Sequence, residues 1–115
     1  QQQRFRRNQR LLTAADYRHV FQKAKRSVDD SFLVLASRNG DQPARLGLAI
    51  AKKQVKRAVD RNRIKRIVRE SFRHKSGKLK GFDFVVLARR DTATHDNDKL
   101  SASLERHWHR LARSI

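Results

Sequence analysis

The sequence predicts a small α+β or α/β sandwich in which helices pack on a single sheet. Three observations predict it. Apolar residues recur at helical spacing near the start, the middle and the end of the chain, and short apolar or alternating runs lie between these segments. The chain has 115 residues and 37% hydrophobic content, enough for one modest core and no second. The order reads helix, strands, helix, strand, helix, and the middle helix joins two strands that could pair in parallel. A single domain over residues 1–115 is expected, with residues 1–10 as a basic, flexible arm.

Each element has a local reason. Thr13 is a good N-cap with Asp16 at the third helical position, and Leu12 is placed to staple against Tyr17. Tyr17, Val20, Phe21 and Ala24 then follow helical spacing, so a helix is expected over 13–24. Ser31 to Ser37 reads as a strand, and Arg38 to Pro43, dense in turn residues, as a hairpin loop. Leu46, Leu48 and Ile50 alternate with Gly47, Ala49 and Ala51, so one face of the next strand is bulky and the other nearly bare. A bare face either receives a closely packed helix or floors a groove. A basic helix begins within 55–60. Val55 and Val59 fall off its apolar stripe, so that approach is expected to pack separately. Ser76 to Gly81 ends the helix. Phe82 to Ala88 is apolar on both sides, as for a strand buried on both faces. After a polar loop at 91–98, Leu100, Leu104, Trp108 and Leu111 mark a final amphipathic helix, with Ile115 at its end.

Charge narrows the function. There are 29 Lys and Arg against 11 Asp and Glu, a net +18. That excess points to nucleic acid, or less often to an anionic membrane surface. Residues 52–75 hold eleven basic and two acidic residues, a net +9, so half of the charge sits in about a fifth of the chain. On a helix at 100° per residue, Asn62, Arg66, Arg69 and Arg73 form one stripe, opposite Ile64, Ile67, Val68, Ser71 and Phe72. The stripe lacks the acidic partners of a merely solvated face, and its arginines suit bidentate contact with phosphate. Tyr17, Phe21 and Phe32 are candidates for base stacking, although core packing would explain each equally well. Lys52 and Lys53 end one strand and Arg89 and Arg90 end another; if those ends are neighbours, four cations ring one end of a groove.

Other chemistries find little support. There is no cysteine, so disulfides and thiolate metal sites are excluded. No apolar stretch approaches the length of a membrane span and no signal peptide is visible, so a cytoplasmic location is expected. The chain does not begin with Met, which suggests that it starts inside its gene product or was processed. Carboxylates are scattered. Asp29–Asp30 and Asp96–Asn97–Asp98 read as turn or cap chemistry, the histidines offer no ligand set, and no phosphate-binding glycine loop exists. An enzyme acting through its own side chains is disfavoured.

The run Ala51-Lys52-Lys53, then Val55 through Arg73 centred on Arg61-Asn62-Arg63-Ile64-Lys65-Arg66, resembles the signature of the protein subunit of bacterial ribonuclease P. Arg10-Leu11-Leu12 with Asp16-Tyr17 and Val20-Phe21, Arg45-Leu46-Gly47-Leu48, and Asp83 to Arg89 extend the resemblance over nearly the whole chain. It implies an α-β sandwich with one mainly antiparallel sheet in the order α-β-β-β-α-β-α. The basic helix would make a left-handed β-α-β crossover, against the usual right-handed preference. It also implies that the partners are ribonuclease P RNA and the 5′ leader of precursor tRNA, with no membrane and no small-molecule substrate. The RNA would carry catalysis with Mg²⁺, and the protein would bind no cofactor and supply no catalytic residue. Arg61, Asn62, Arg63, Lys65, Arg66, Arg69 and Arg73 would face the catalytic RNA. Tyr17, Phe21, Phe32, Lys52 and Lys53 would line the leader cleft, with Arg89 and Arg90 at its rim. One departure is Leu35, which stands where some relatives place an aromatic on the cleft floor.

A structural RNA-binding protein and a protein-only nuclease are the competing readings. The first would prefer ribosomal RNA and ignore a 5′ leader; the second would cleave with Mg²⁺ and no added RNA.

Overall fold

The structure is a computed structural model that describes Arg10 and residues 13–114. The remainder of the expected arm, the Leu12 staple and Ile115 lie outside the described residues. Helix α1 spans Ala14–Lys23, followed by strands β1 (Lys25–Val28), β2 (Phe32–Arg38) and β3 (Arg45–Ala49). Helix α2 spans Ala58–Lys75 and runs into a 3-10 turn, Ser76–Lys78. Strand β4 (Phe82–Ala88), a second 3-10 turn (Thr92–Thr94) and helix α3 (Asn97–Ser114) complete the α-β-β-β-α-β-α order. Thr13 caps α1 through a capping box with Asp16: Thr13 Oγ1 accepts from Asp16 N–H and the Asp16 carboxylate accepts from Thr13 N–H.

The sheet order is β1-β2-β4-β3. The β1–β2 and β2–β4 pairs are antiparallel; β3 and β4, joined through α2, are parallel. The segment after β2 is therefore not the hairpin loop expected at 38–43. The most apolar strand, β4, takes the place between β2 and β3, where both of its faces are covered. The connection instead holds the chain entering β4: Asn39 N–H donates to Gly81 O, and Gly81 N–H to Gln42 O, both at 2.9 Å. Gly81 has φ +93°, and a Cβ there would meet Gly40 O at 3.2 Å. Strand β1 carries no alternation readable beforehand, since only Ser27 of its four residues is buried.

Two apolar layers flank the sheet. The larger joins Phe32, Val34 and Ala36 of β2, Leu46 of β3, and Phe84, Val86 and Ala88 of β4 to Ile64, Ile67, Val68 and Phe72 of α2 and Leu100, Leu104, Trp108 and Leu111 of α3. Phe72, Phe84 and Trp108 meet edge to face, with centroids 5.2–6.2 Å apart. Val55 belongs to this core, contrary to the expectation of separate packing. Its N–H and that of Gln54 both bond Ala51 O, and this turn folds the segment back under the sheet. Val59 remains outside, 60% exposed. On the other face, Leu35, Val85 and Val20 pack with Tyr17, Ala24, Leu33, Ala49 and Leu87. The nearly bare side of β3 thus faces the thin α1 layer.

Candidate nucleic-acid interface

Helix α2 orients the basic residues because its apolar residues fix its roll. With Ile64, Ile67, Val68 and Phe72 buried, the opposite side presents Asn62, Arg66 and Arg69, all exposed, and Arg73, half-buried. Among the described residues, the side chains of Arg66 and Arg69 form no ion pair or hydrogen bond. Successive stripe residues lie three or four apart and so stack along the helix at about one turn, roughly 5 Å. This row of cations has nothing of opposite sign facing it from its own helix except Glu70, which lies at its margin.

The other residues of the basic motif are engaged differently. Arg61 Nη1 donates to Val55 O at 3.0 Å and Lys56 O at 2.8 Å, closing the start of α2, where the N-cap residue Arg57 makes no side-chain cap. Arg63 Nη1 donates to Asn97 Oδ1 and His95 O, and its Nη2 to Ala93 O. Arg63 thereby clips the 92–97 connection and the start of α3 onto α2. Both residues are half-buried and lie beside the stripe. Lys65 is half-buried on the Arg61 side of the stripe. Spacing could not foresee these roles, because the carbonyl acceptors of Arg63 come from about thirty residues away.

A second basic region lies where the strands end. Parallel pairing sets Ala49 beside Leu87, so the segments leaving β3 and β4 emerge at the same end of the sheet. A cleft of about 1160 Å³ opens there, with Leu33 and Leu87 among its lining and Lys53, Arg57, Arg89 and Arg90 around it. Asp30, Asp60 and Asp91 share the lining. Lys52 is exposed nearby in sequence but does not line the cleft. Arg89 is held in place, its Nη1 donating to Asp29 O at 2.7 Å and its N–H to Thr92 Oγ1 at 2.7 Å. On the same side of the sheet, α1 presents Phe21, 48% exposed, and Tyr17, whose hydroxyl accepts from Leu48 N–H on the edge strand β3. Leu33 and Leu87 belong to the apolar layer that also holds Tyr17, so the aromatic and cationic parts share one continuous surface.

Phe32 must be removed from that surface. It is fully buried in the core beneath α2 and α3. Side chains alternate along a strand, so the residues of β2 that face α1 are Leu33 and Leu35. The expectation was off by one position, which on a strand means the opposite face.

Buried polar groups brace both sites. Asp83, fully buried on β4, accepts from Arg45 Nε at 3.0 Å and Nη2 at 2.7 Å, and from Asn39 Nδ2 at 2.8 Å. Arg45 also reaches Asp16 of α1 at 3.7 Å. The hydrogen bond to Asp83 raises the Arg45 guanidinium pKa against the opposing effect of burial. This link ties α1 to the edge strand β3 and the central strand β4. Beneath β1, Asp29 gathers the N–H groups of Ser31 and Phe32, the Ser103 hydroxyl and Arg106. Partial burial pushes the Asp29 carboxyl up, but these hydrogen bonds and His107 more than offset it and hold it well below the usual carboxylate range. His107 Nδ1 lies 2.6 Å from Ser27 Oγ, and its Nε2 lies 3.2 Å from Asp29 Oδ1, without hydrogen-bond alignment. Burial lowers the His107 pKa despite the Asp29 carboxylate. Among the described residues no group of three or more His, Cys, Asp or Glu could hold a metal ion, and no helix is long and apolar enough to cross a membrane.

Residues 5–112 match the family model described as Ribonuclease P. The chain is 48% identical over 109 residues to the "Ribonuclease P protein component" of Aliivibrio fischeri, covering 95% of this chain and 93% of that one. It is 49% identical over 114 residues to the protein of the same name from Chromohalobacter salexigens, covering 98% and 89%. Among solved structures, the RNase P protein of Staphylococcus aureus superposes with a TM-score of 0.79 at 30% identity, over 90% of this chain and 94% of that one. The RNase P protein of Thermotoga maritima does so with a TM-score of 0.77 at 33% identity, over 88% and 96%.

Proposed function

The chain belongs to the family of ribonuclease P protein components, the protein subunits of a tRNA-processing ribonucleoprotein that acts as an endoribonuclease, and on that premise we propose how its surfaces divide the work. The stripe Asn62, Arg66, Arg69 and Arg73 lies on the catalytic RNA. Arg61, Arg63 and Lys65 flank that contact, and the two arginines shape its ends through their carbonyl bonds. The surface made by Tyr17, Phe21, Lys52, Lys53, Arg89 and Arg90 holds the 5′ leader of precursor tRNA. The RNA subunit, using Mg²⁺, cleaves the precursor, and the protein stabilises the ribozyme–substrate complex when Mg²⁺ is low. The complex works in the cytoplasm.

The observation that carries this reading is the α2 stripe, a row of arginines set by the packing of the opposite face and left without acidic partners. Bringing ribozyme and precursor together is opposed by phosphate repulsion. A +18 protein between them displaces condensed counterions, whose release is favourable and whose contribution grows as salt falls. A leader is single-stranded, and stacking on an exposed ring with flanking cations suits it without strong sequence preference.

The test is cleavage of 5′-labelled precursor tRNA at low Mg²⁺ by the protein alone, by ribonuclease P RNA alone and by both. Accurate leader removal only in the mixture is the expected result. Cleavage by the protein alone, or no stimulation of the RNA by a protein that binds it, would overturn the proposal.

A further inference from the structure

The antiparallel ladder between β2 and β4 ends at the pair Phe32 and Ala88. Just beyond it, one hydroxyl joins the two chains. Thr92, fully buried at the start of the second 3-10 turn, accepts from Arg89 N–H at 2.7 Å and donates to Ser31 O. Accepting an amide from three residues back is a common local habit of threonine in turns. The bond to Ser31 is of another kind, because its partners lie 61 residues apart in sequence. The connection that carries Ser31 also holds the acceptor of the Arg89 side chain, Asp29 O, 2.7 Å from Arg89 Nη1. The Asp29 carboxylate fixes this connection by accepting from Ser31 N–H and Phe32 N–H. Thr92 thus spans both anchors of Arg89: the backbone that carries it and the connection that receives it.

The charges in the strand-end cleft give this arrangement a purpose. Asp30 and Asp91 line the cleft together with Arg89. An arginine free to rotate there would pair with one of them, since a carboxylate attracts a guanidinium more strongly than a neutral carbonyl does. Among the described residues, the Arg89 side chain forms no ion pair, and its hydrogen bond goes to the neutral Asp29 carbonyl. A guanidinium has five N–H donors, so a tether on Nη1 leaves the others open and the charge unneutralised. Arg89 itself is exposed.

We propose that Thr92 is a positioning residue for Arg89. Its hydroxyl sets the spacing that keeps the guanidinium on a neutral carbonyl, unpaired with Asp30 and Asp91, and so leaves its charge for a leader phosphate. This rests on the proposed function, in which Arg89 belongs to the leader surface. Thr92 has no exposed surface and touches no RNA, so its effect on binding passes through Arg89.

The experiment is a double-variant cycle on the full chain assembled with ribonuclease P RNA. It measures affinity for precursor and for mature tRNA over a salt series at fixed Mg²⁺. Losing one contact to a single-stranded phosphate makes the slope of log K against log salt shallower by about 0.7, or about fivefold in affinity at 0.1 M salt relative to 1 M. Arg89→Ala should show that loss for precursor alone. Thr92→Val keeps the shape, removes the hydroxyl and should lose about threefold or more of the same salt-dependent affinity. In a chain already carrying Arg89→Ala it should cost nothing further, whereas its loss should add in full to that of Lys53→Ala. Thr92→Ser keeps the hydroxyl and should bind like the parent chain. Thr92→Ala completes the same cycle if Thr92→Val loses structure by circular dichroism. A merely structural threonine would lower the thermal midpoint and leave the precursor affinity of the folded protein unchanged. That result would overturn the proposal, as would a loss that adds to Arg89→Ala or fails to add to Lys53→Ala. In each of these cases a precursor-specific loss in Arg89→Ala alone leaves the leader surface standing. An Arg89→Ala chain that separates precursor from mature tRNA as the parent does would instead remove Arg89 from the leader surface, and the role of Thr92 with it.

Discussion

Replacing both Arg66 and Arg69 with alanine removes the two most open cations of the α2 stripe. Neither side chain makes a hydrogen bond or ion pair among the described residues, so the loss falls on RNA binding and leaves folding nearly untouched. Each phosphate contact contributes about 0.7–0.9 to the slope of log K against log salt. Taking about 0.8, one contact multiplies affinity roughly sixfold at 0.1 M salt relative to 1 M, and two multiply it about fortyfold, near 2 kcal/mol. The double variant should therefore bind ribonuclease P RNA roughly fortyfold more weakly at 0.1 M monovalent salt, with a slope shallower by about 1.6 and curves that converge near 1 M. Fluorescence anisotropy of labelled RNA over a salt series at fixed Mg²⁺ measures both quantities, and the thermal midpoint of the free protein checks the fold. An unchanged slope in a folded variant would refute the placement of this stripe on RNA. A uniform loss at all salt concentrations would show that the arginines act through something other than phosphate charge.

Phe21→Ala should weaken precursor tRNA binding by the holoenzyme by about 1–3 kcal/mol, the range of one stacked base, and leave mature tRNA unchanged; equal weakening of both ligands would count against a leader contact. Arg63→Ala should act mainly on stability, costing about 2 kcal/mol in denaturant unfolding because three acceptors lose their donor, with a smaller change in salt slope than the stripe variant. Asp83→Ala should cost about 3 kcal/mol, since it leaves Arg45 and Asn39 without their shared acceptor, and Asp83→Asn should recover part of this; equal unfolding midpoints for the two variants would show that a neutral amide oxygen does not replace the carboxylate. The folded-state pKa of His107 lies below the ordinary value of 6.5, so the unfolded chain binds the proton more tightly. Stability should therefore fall as pH drops below 6.5, and His107→Gln should flatten that slope in urea unfolding from pH 7 to 5. Asp29 adds a separate loss below its ordinary value of 3.8, because its folded-state pKa is depressed.

Periodicity located α1, α2, α3 and β3, because each buries one stripe or face and repeats accordingly, and short apolar runs between turn residues located β2 and β4, which are covered on both faces. The capping box at Thr13 and Asp16 was readable for the same local reason. So was the stripe of Asn62, Arg66, Arg69 and Arg73, since Ile64, Ile67, Val68 and Phe72 specify the roll of α2 through a 3.6-residue repeat that needs no knowledge of what they pack on. Strand β1 was not readable from its own residues, as three of the four are exposed and its pairing with β2 holds it in place.

Tertiary structure decided what depends on partners distant in sequence. It set β4 between β2 and β3, so that the 38–43 segment crosses over the chain entering β4 and makes no hairpin. It assigned Phe32 to the core and Leu33 and Leu35 to the α1 side, because alternation identifies two faces without saying which faces a helix. It directed Arg61 and Arg63 to backbone carbonyls and joined Arg45, Asp83 and Asp16 across three elements. A local pattern records which side of an element avoids water; the identity of the neighbour follows from the one arrangement in which all such sides are covered together.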